Sequence, residues 1–274
     1  MAAAIWKLSW REGRGLWGAL AVLMFGFHWI YVWFTGQMDL SFLETMYDKL
    51  PGFLQRQIPV DPHQAASFKG RLAFGYEQAL VSFALTAWAV TRGSDAVSGP
   101  LGRGTLEMIL AQPVRRLKWL LANAVITTFG TLMLCDICWL GTRCGVATVP
   151  AFAEISPFPY LWTAANLFSV TFFLAAVATL ASACDRHRWR AIGLVSGIYM
   201  LSWLIKLVGR AAPKLEWLNY GSFLSLFEPQ KLIGDPENIV RNSLFYDGTL
   251  IGLGLAAYVA AAVVFARRDL PAPL

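Results

Sequence analysis

Charge is scarce in this chain: Asp, Glu, Lys and Arg make up only 15% of it, against about a quarter in ordinary soluble domains. Histidine is scarcer still. His28, His63 and His187 lie far apart, so neither a metal-ligand spacing nor a nucleophile paired with a base emerges. Cysteine contributes little chemistry. Cys135 and Cys138 form a C-x-x-C inside an apolar block, without a strand to support a redox motif or a second ligand pair for zinc, so apolar packing is the better reading. A nucleotide site is lacking as well. Gly99-Pro100-Leu101-Gly102-Arg103-Gly104-Thr105 approaches a phosphate loop, but its lysine is missing and an apolar helix precedes it in place of a strand.

What the chain has is hydrophobic residues, 57% of the total, gathered into blocks. Six blocks run approximately over Gly15–Phe34, Leu72–Val90, Trp119–Gly141, Tyr160–Ala183, Ala191–Gly209 and Leu244–Phe265. Each has the length that an α-helix needs to cross about 30 Å of hydrocarbon at 1.5 Å per residue. The fold class is therefore an all-α integral membrane protein of six transmembrane helices, one domain over residues 1–274. The first block is too long for the core of a secretory signal, and no small-residue cleavage site follows it, so it reads as a retained span.

The formal charge of +6 is a matter of sidedness. One set of connecting segments carries Lys7, Arg11, Arg14, Arg92, Arg103, Arg115, Arg116, Lys118, Arg186, Arg188, Arg190, Arg267 and Arg268 against Glu12, Asp95, Glu107, Asp185 and Asp269. The other set balances acids with bases, so the first set is expected to be cytoplasmic, together with both termini. The basic excess then needs no nucleic-acid partner. Cys144 and Cys184 fall on opposite sides and cannot pair.

Residues 1–14 carry Lys7, Arg11 and Arg14 on one helical face and Trp6 and Trp10 on another. They read either as an interfacial helix on anionic headgroups or as flanking anchors of the first span. Thr35–Arg71 and Arg210–Ser243 are outer segments with apolar runs too short to span, such as Leu40–Leu43, Leu50–Leu54, Leu215–Tyr220 and Phe223–Phe227. Such runs suit interfacial or re-entrant helices. Only residues 184–190 join the fourth and fifth spans, forcing a tight antiparallel pair.

Between the second and third spans, at 98–113, the glycines and Pro100 are expected to break the preceding helix. Thr105 starts a new one with Glu107 in its first turn, and Pro113 stops it. Leu106, Ile109 and Leu110 share a face that must meet lipid or another protein. Here Gly104-Thr105-Leu106-Glu107-Met108-Ile109-Leu110-Ala111-Gln112-Pro113 resembles the coupling segment of ABC-2 type permeases, and Phe265-Ala266-Arg267-Arg268-Asp269-Leu270 is similar to the close of many members. The run Ser98–Gly102 departs from the acidic pair often found there.

The resemblance implies a coupling helix seated on a separate ATPase, present in two copies, and a permease homodimer in the bacterial inner membrane, most often exporting. This chain would be no enzyme and hold no cofactor, ATP and Mg being bound by the partner. Glu77, Asp136, Lys206 and Asp247 fall inside apolar blocks near their outer ends. They either line the exit of the pathway or reach the headgroup layer. A membrane-embedded enzyme, or a docking or sensory protein, are the competing functions.

Overall fold

The computed structural model describes residues 2–38, 49–57, 64–65, 67–111 and 115–268, and every regular element among them is helical. Five helices are long and apolar enough to cross a membrane: α1 (Ala2–Gly36), α7 (Arg116–Thr148), α8 (Tyr160–Cys184), α9 (Arg188–Ala211) and α11 (Ile239–Arg267). Shorter elements join them. These are α2 (Gly52–Gln55), α3 (Phe68–Glu77), α4 (Ala79–Ser94), α5 (Ser98–Gly102), α6 (Thr105–Leu110), α10 (Pro229–Gly234), and 3-10 turns at Pro150–Phe152, Pro213–Gly221 and Phe223–Leu226.

The second expected span is not one helix. Gln78 takes φ −58° and ψ 139°, an extended conformation that ends α3 and starts α4. Of the two readings of residues 1–14, the structure fits the flanking anchors: among the described residues no separate interfacial helix forms, and α1 runs unbroken from Ala2 to Gly36. Inside it, Ser9 and Gly13 turn inward, while Trp6, Lys7, Trp10, Arg11 and Arg14 are all exposed. Leu40–Leu43, His63, Gln112, Pro113, Asp269 and Leu270 lie outside the described residues.

Helix α8 is the centre of the bundle, packed on α11, α4, α7 and α9, while α1 lies along α7. Small residues let the axes approach, since helix association in lipid relies on close van der Waals fit and interhelical hydrogen bonds. A methyl group on Gly93 would stand 2.4 Å from the Ala178 Cβ and 2.7 Å from the Ala175 carbonyl oxygen. Polar contacts tie the same surfaces. Trp88 Nε1 donates to Thr131 at 3.0 Å, and Arg92, buried, donates to the Ser9 carbonyl at 3.0 Å and hydroxyl at 2.8 Å. Cys135 and Cys138 are buried with their thiols free.

Helix C-termini leave carbonyls without intrahelical partners, and cations satisfy them well. Arg188, at the start of α9, donates toward the Thr91 carbonyl at the end of α4 at 3.4 Å. Arg268 donates to the Ala183 and Asp185 carbonyls at the end of α8 at 2.8 and 3.1 Å, and Arg116 donates to the Arg268 carbonyl at 2.7 Å. Several arginines of the basic connecting segments therefore seal neighbouring helices. Between α8 and α9, the Asp185 carboxylate accepts the His187 backbone N–H at 2.8 Å, which holds it below its usual range. At the opposite end, Arg71 serves α1 in the same way, donating to the Thr35 and Met38 carbonyls at 3.0 and 3.3 Å.

Candidate functional site

The segment from Asp95 to Leu106 is moored to the bundle at several points. Leaving α4, the backbone N–H groups of Val97 and Ser98 both donate to the Ser182 hydroxyl of α8, at 3.1 and 2.8 Å. That hydroxyl in turn donates to the Ser94 carbonyl at 2.9 Å. One buried serine thus accepts two backbone N–H groups, each costing about 1–3 kcal/mol if unpaired, and shares the Ser94 carbonyl with the Ser98 hydroxyl. Trp119 Nε1, from the first turn of α7, donates to the Ala96 carbonyl at 2.8 Å.

Pro100 does not break this stretch as expected. It sits third in α5, within the first turn, where a helix needs no N–H from it. Asp95 bridges Arg103 at 2.8 Å and lies 3.6 Å from Arg188. Arg103 is 45% exposed, so this pair fixes direction more than it adds stability. Gly99 leaves room for it, since a Cβ there would lie 1.8 Å from Asp95 Oδ1. Gly104 then turns the chain with φ +68°, a left-handed conformation costly for residues bearing a Cβ, and the Thr105 hydroxyl donates to the Pro100 carbonyl at 3.2 Å. Gly104→Val is expected to lower stability by about 2 kcal/mol, seen as an earlier thermal transition in detergent, and to weaken any activity carried by α6.

The face expected to meet lipid or a partner divides differently. Leu106 is 0% exposed, closed in by Ala96, Val97, Trp119, Leu120, Ala183, Ala261 and Phe265, so it anchors α6 to the chain's own core and is not offered to another protein. Met108 is 65% exposed. The backbones of Glu107, Ile109 and Leu110 are helical, while their side chains lie outside the description.

At the other end of the bundle, the in-span charges divide. Asp247 of α11 is buried, accepting from Asn166 Nδ2 and the Ser169 hydroxyl at 2.8 Å each and from the Ser243 hydroxyl. Asn166 also donates to the Leu226 carbonyl at 2.9 Å and accepts the Glu228 backbone N–H at 3.1 Å. Lys206 lies 3.5 Å from Glu228, with Glu77 within electrostatic reach of both. Asp136 joins none of this. It is exposed on α7, without an ion pair among the described residues.

The sequence reading missed Glu228, Arg210, Asn166 and Ser169. For Asn166 and Ser169 a signal was present, two amide or hydroxyl side chains three apart in an otherwise apolar span. Glu228 and Arg210 had none, because both stand in a connecting segment where charge is ordinary.

Compared with known proteins, residues 10–270 match the family model described as ABC-2 family transporter protein. No curated protein gives a match.

Proposed function

The chain belongs to the ABC-2 family of transporter proteins, and from that premise we propose that it is the membrane half of an ATP-driven exporter whose energy comes from a separate ABC ATPase. In this reading α3 and α4 together complete a sixth crossing, both termini lie in the cytoplasm of a bacterial cell, and two copies of the chain pair with two ATPase subunits. ATP binding draws the two ATPases together, α6 moves with them, and the helices to which it is moored tilt to open a path between the two permease copies.

The observation that carries the proposal is the combination at α6: a six-residue helix bound to the bundle through its buried side at Leu106, yet open to solvent at Met108. A helix presented in this manner transmits a displacement instead of absorbing it, because packed interiors are nearly incompressible. The arginines gathered at that end agree with a cytoplasmic position.

The test is co-purification in lipid nanodiscs of the tagged chain with an ABC ATPase encoded beside it, together with labelling of Met108→Cys in sealed membranes, in a background carrying Cys144→Ser and Cys184→Ser. The expected result is a stable complex whose ATP hydrolysis rate differs from that of the free ATPase, and labelling from the cytoplasmic side alone. Absence of a complex, an unchanged hydrolysis rate, or labelling from the outside overturns the proposal.

A further inference from the structure

At the end of the bundle remote from α6, one carboxylate receives contacts from several separate parts of the chain. Glu228 is 3% exposed. Its Oε1 is paired with Arg210 and lies 3.5 Å from the Lys206 ammonium, both from the last turns of α9, and its Oε2 lies 3.9 Å from Lys231 of α10. Its backbone N–H is taken by Asn166 of α8. Glu77, the last residue of α3, stands near this group, its Oε1 buried without a hydrogen-bond partner, and α3 packs on α10, the helix that follows Glu228.

The same cations also hold backbone. Lys206 donates to the Leu224 and Phe227 carbonyls at 2.9 and 2.7 Å, and the Ser222 hydroxyl donates to the Ser202 carbonyl of α9 at 2.7 Å. Arg210 donates to the Gln57 carbonyl at 3.1 Å, while Gln57 Nε2 and Arg56 Nη1 donate to the Leu207 and Ala211 carbonyls at 3.0 and 3.3 Å. Residues 213–234 are mostly short 3-10 turns, whose internal hydrogen bonds are poorer in geometry than those of an α-helix and whose frequent ends leave carbonyls to be satisfied from outside. Here α8 and α9 side chains supply several of the donors, so the seating of the whole segment depends on where Lys206 and Arg210 are directed.

We propose that residues 213–234, with 52–57 beside them, form a lid over this end of the bundle, and that Glu228 is its latch. Glu228 holds Lys206 and Arg210 at the carbonyls they satisfy. Without its charge, two cations are left largely buried with too little compensation, and such groups turn toward water. The lid then lifts from α9, and α3, which packs on α10, is loosened as well. As the exit of a transport path this device rests on the transporter reading, but the latch itself is a property of the chain alone.

A thiol reporter in the lid tests it without ATPase or substrate. In a background carrying Cys144→Ser and Cys184→Ser, Ser225→Cys places a thiol where the native hydroxyl oxygen is buried without a partner. Labelling by a membrane-impermeant maleimide in sealed vesicles of both orientations is expected to be slow in the parent. It is expected to be at least about tenfold faster with Glu228→Gln, from one side only, and to stay near the parental rate with Glu228→Asp, which keeps the charge. The buried Cys135 and Cys138 report folding. If Glu228→Gln exposes them too, Arg210→Gln decides: faster labelling of the lid thiol supports the latch, and labelling at the parental rate in whichever variant keeps Cys135 and Cys138 protected overturns it. A chain that binds no ATPase but shows the labelling pattern keeps the latch and loses the transporter reading.

Discussion

Leu106→Asp is expected to unfold the short helix α6 and to destabilise the protein by about 4 kcal/mol or more, whereas Met108→Asp leaves stability within about 0.5 kcal/mol of the parent and abolishes ATPase binding. The two positions are two residues apart and both apolar, so composition treats them alike, although on a helix they point to different sides. Their surroundings differ. Leu106 is enclosed by Trp119, Phe265 and the ends of α8 and α11, and a carboxylate there loses Leu packing worth about 2–5 kcal/mol and must also be desolvated or protonated. Met108 is mostly in solvent, where an exposed substitution changes folding little. Buried on a partner, it becomes an anchor whose replacement by a charge costs several kcal/mol of binding. Thermal unfolding in detergent and limited proteolysis between residues 98 and 111 report the first effect, and co-purification the second. If Leu106→Asp is as stable as the parent, α6 is not moored as described. If Met108→Asp still binds the ATPase, the docking face lies elsewhere.

Gly93→Ala is expected to cost about 2–3 kcal/mol, although Ala is the better helix former by about 1 kcal/mol. The new methyl group meets the Ala178 Cβ, the Ala175 carbonyl and the Thr179 backbone nitrogen, at 2.4, 2.7 and 2.9 Å, and two of these are main chain that cannot rotate aside. Helix α4 is forced from α8, and the Ser182 bonds to Val97 and Ser98 one turn further on lengthen with it. Gly18→Ala provides the contrast of opposite sign. No atom lies within 4 Å of a Cβ there, so propensity alone acts and stability stays equal or rises by about 0.5–1 kcal/mol. Paired unfolding measurements decide, and equal effects at the two glycines would show that the α4–α8 contact is looser than its geometry.

Five of the crossing helices were legible because hydrophobic length is a long-range, averaged signal that survives local error. The same averaging hid the break at Gln78, where one extended residue next to Glu77 ends α3 in the middle of an apolar block. At α6 the spacing of Leu106, Ile109 and Leu110 tells which side chains share a face, but not what covers that face. Trp119 and Phe265, remote in sequence, cover Leu106. Depth along the spans placed Glu77, Lys206 and Asp247 toward one end, and the structure brings Glu77 and Lys206 to the same neighbourhood, with Asp247 joined through Asn166. The central carboxylate, Glu228, stayed hidden because charge attracts notice inside a greasy block and none in a loop.

The extended residue at Gln78 gives the second crossing an elbow. No α-helical ladder runs through it, so α3 and α4 are two short levers sharing a joint, α4 fixed to α8 through Gly93, α3 fixed to α1 through Arg71 and packed on α10. In the transport cycle proposed above, a pull on α6 bends this joint before it reaches α3, which follows once its own contacts release. Such a linkage permits motion at the two membrane faces to occur in sequence.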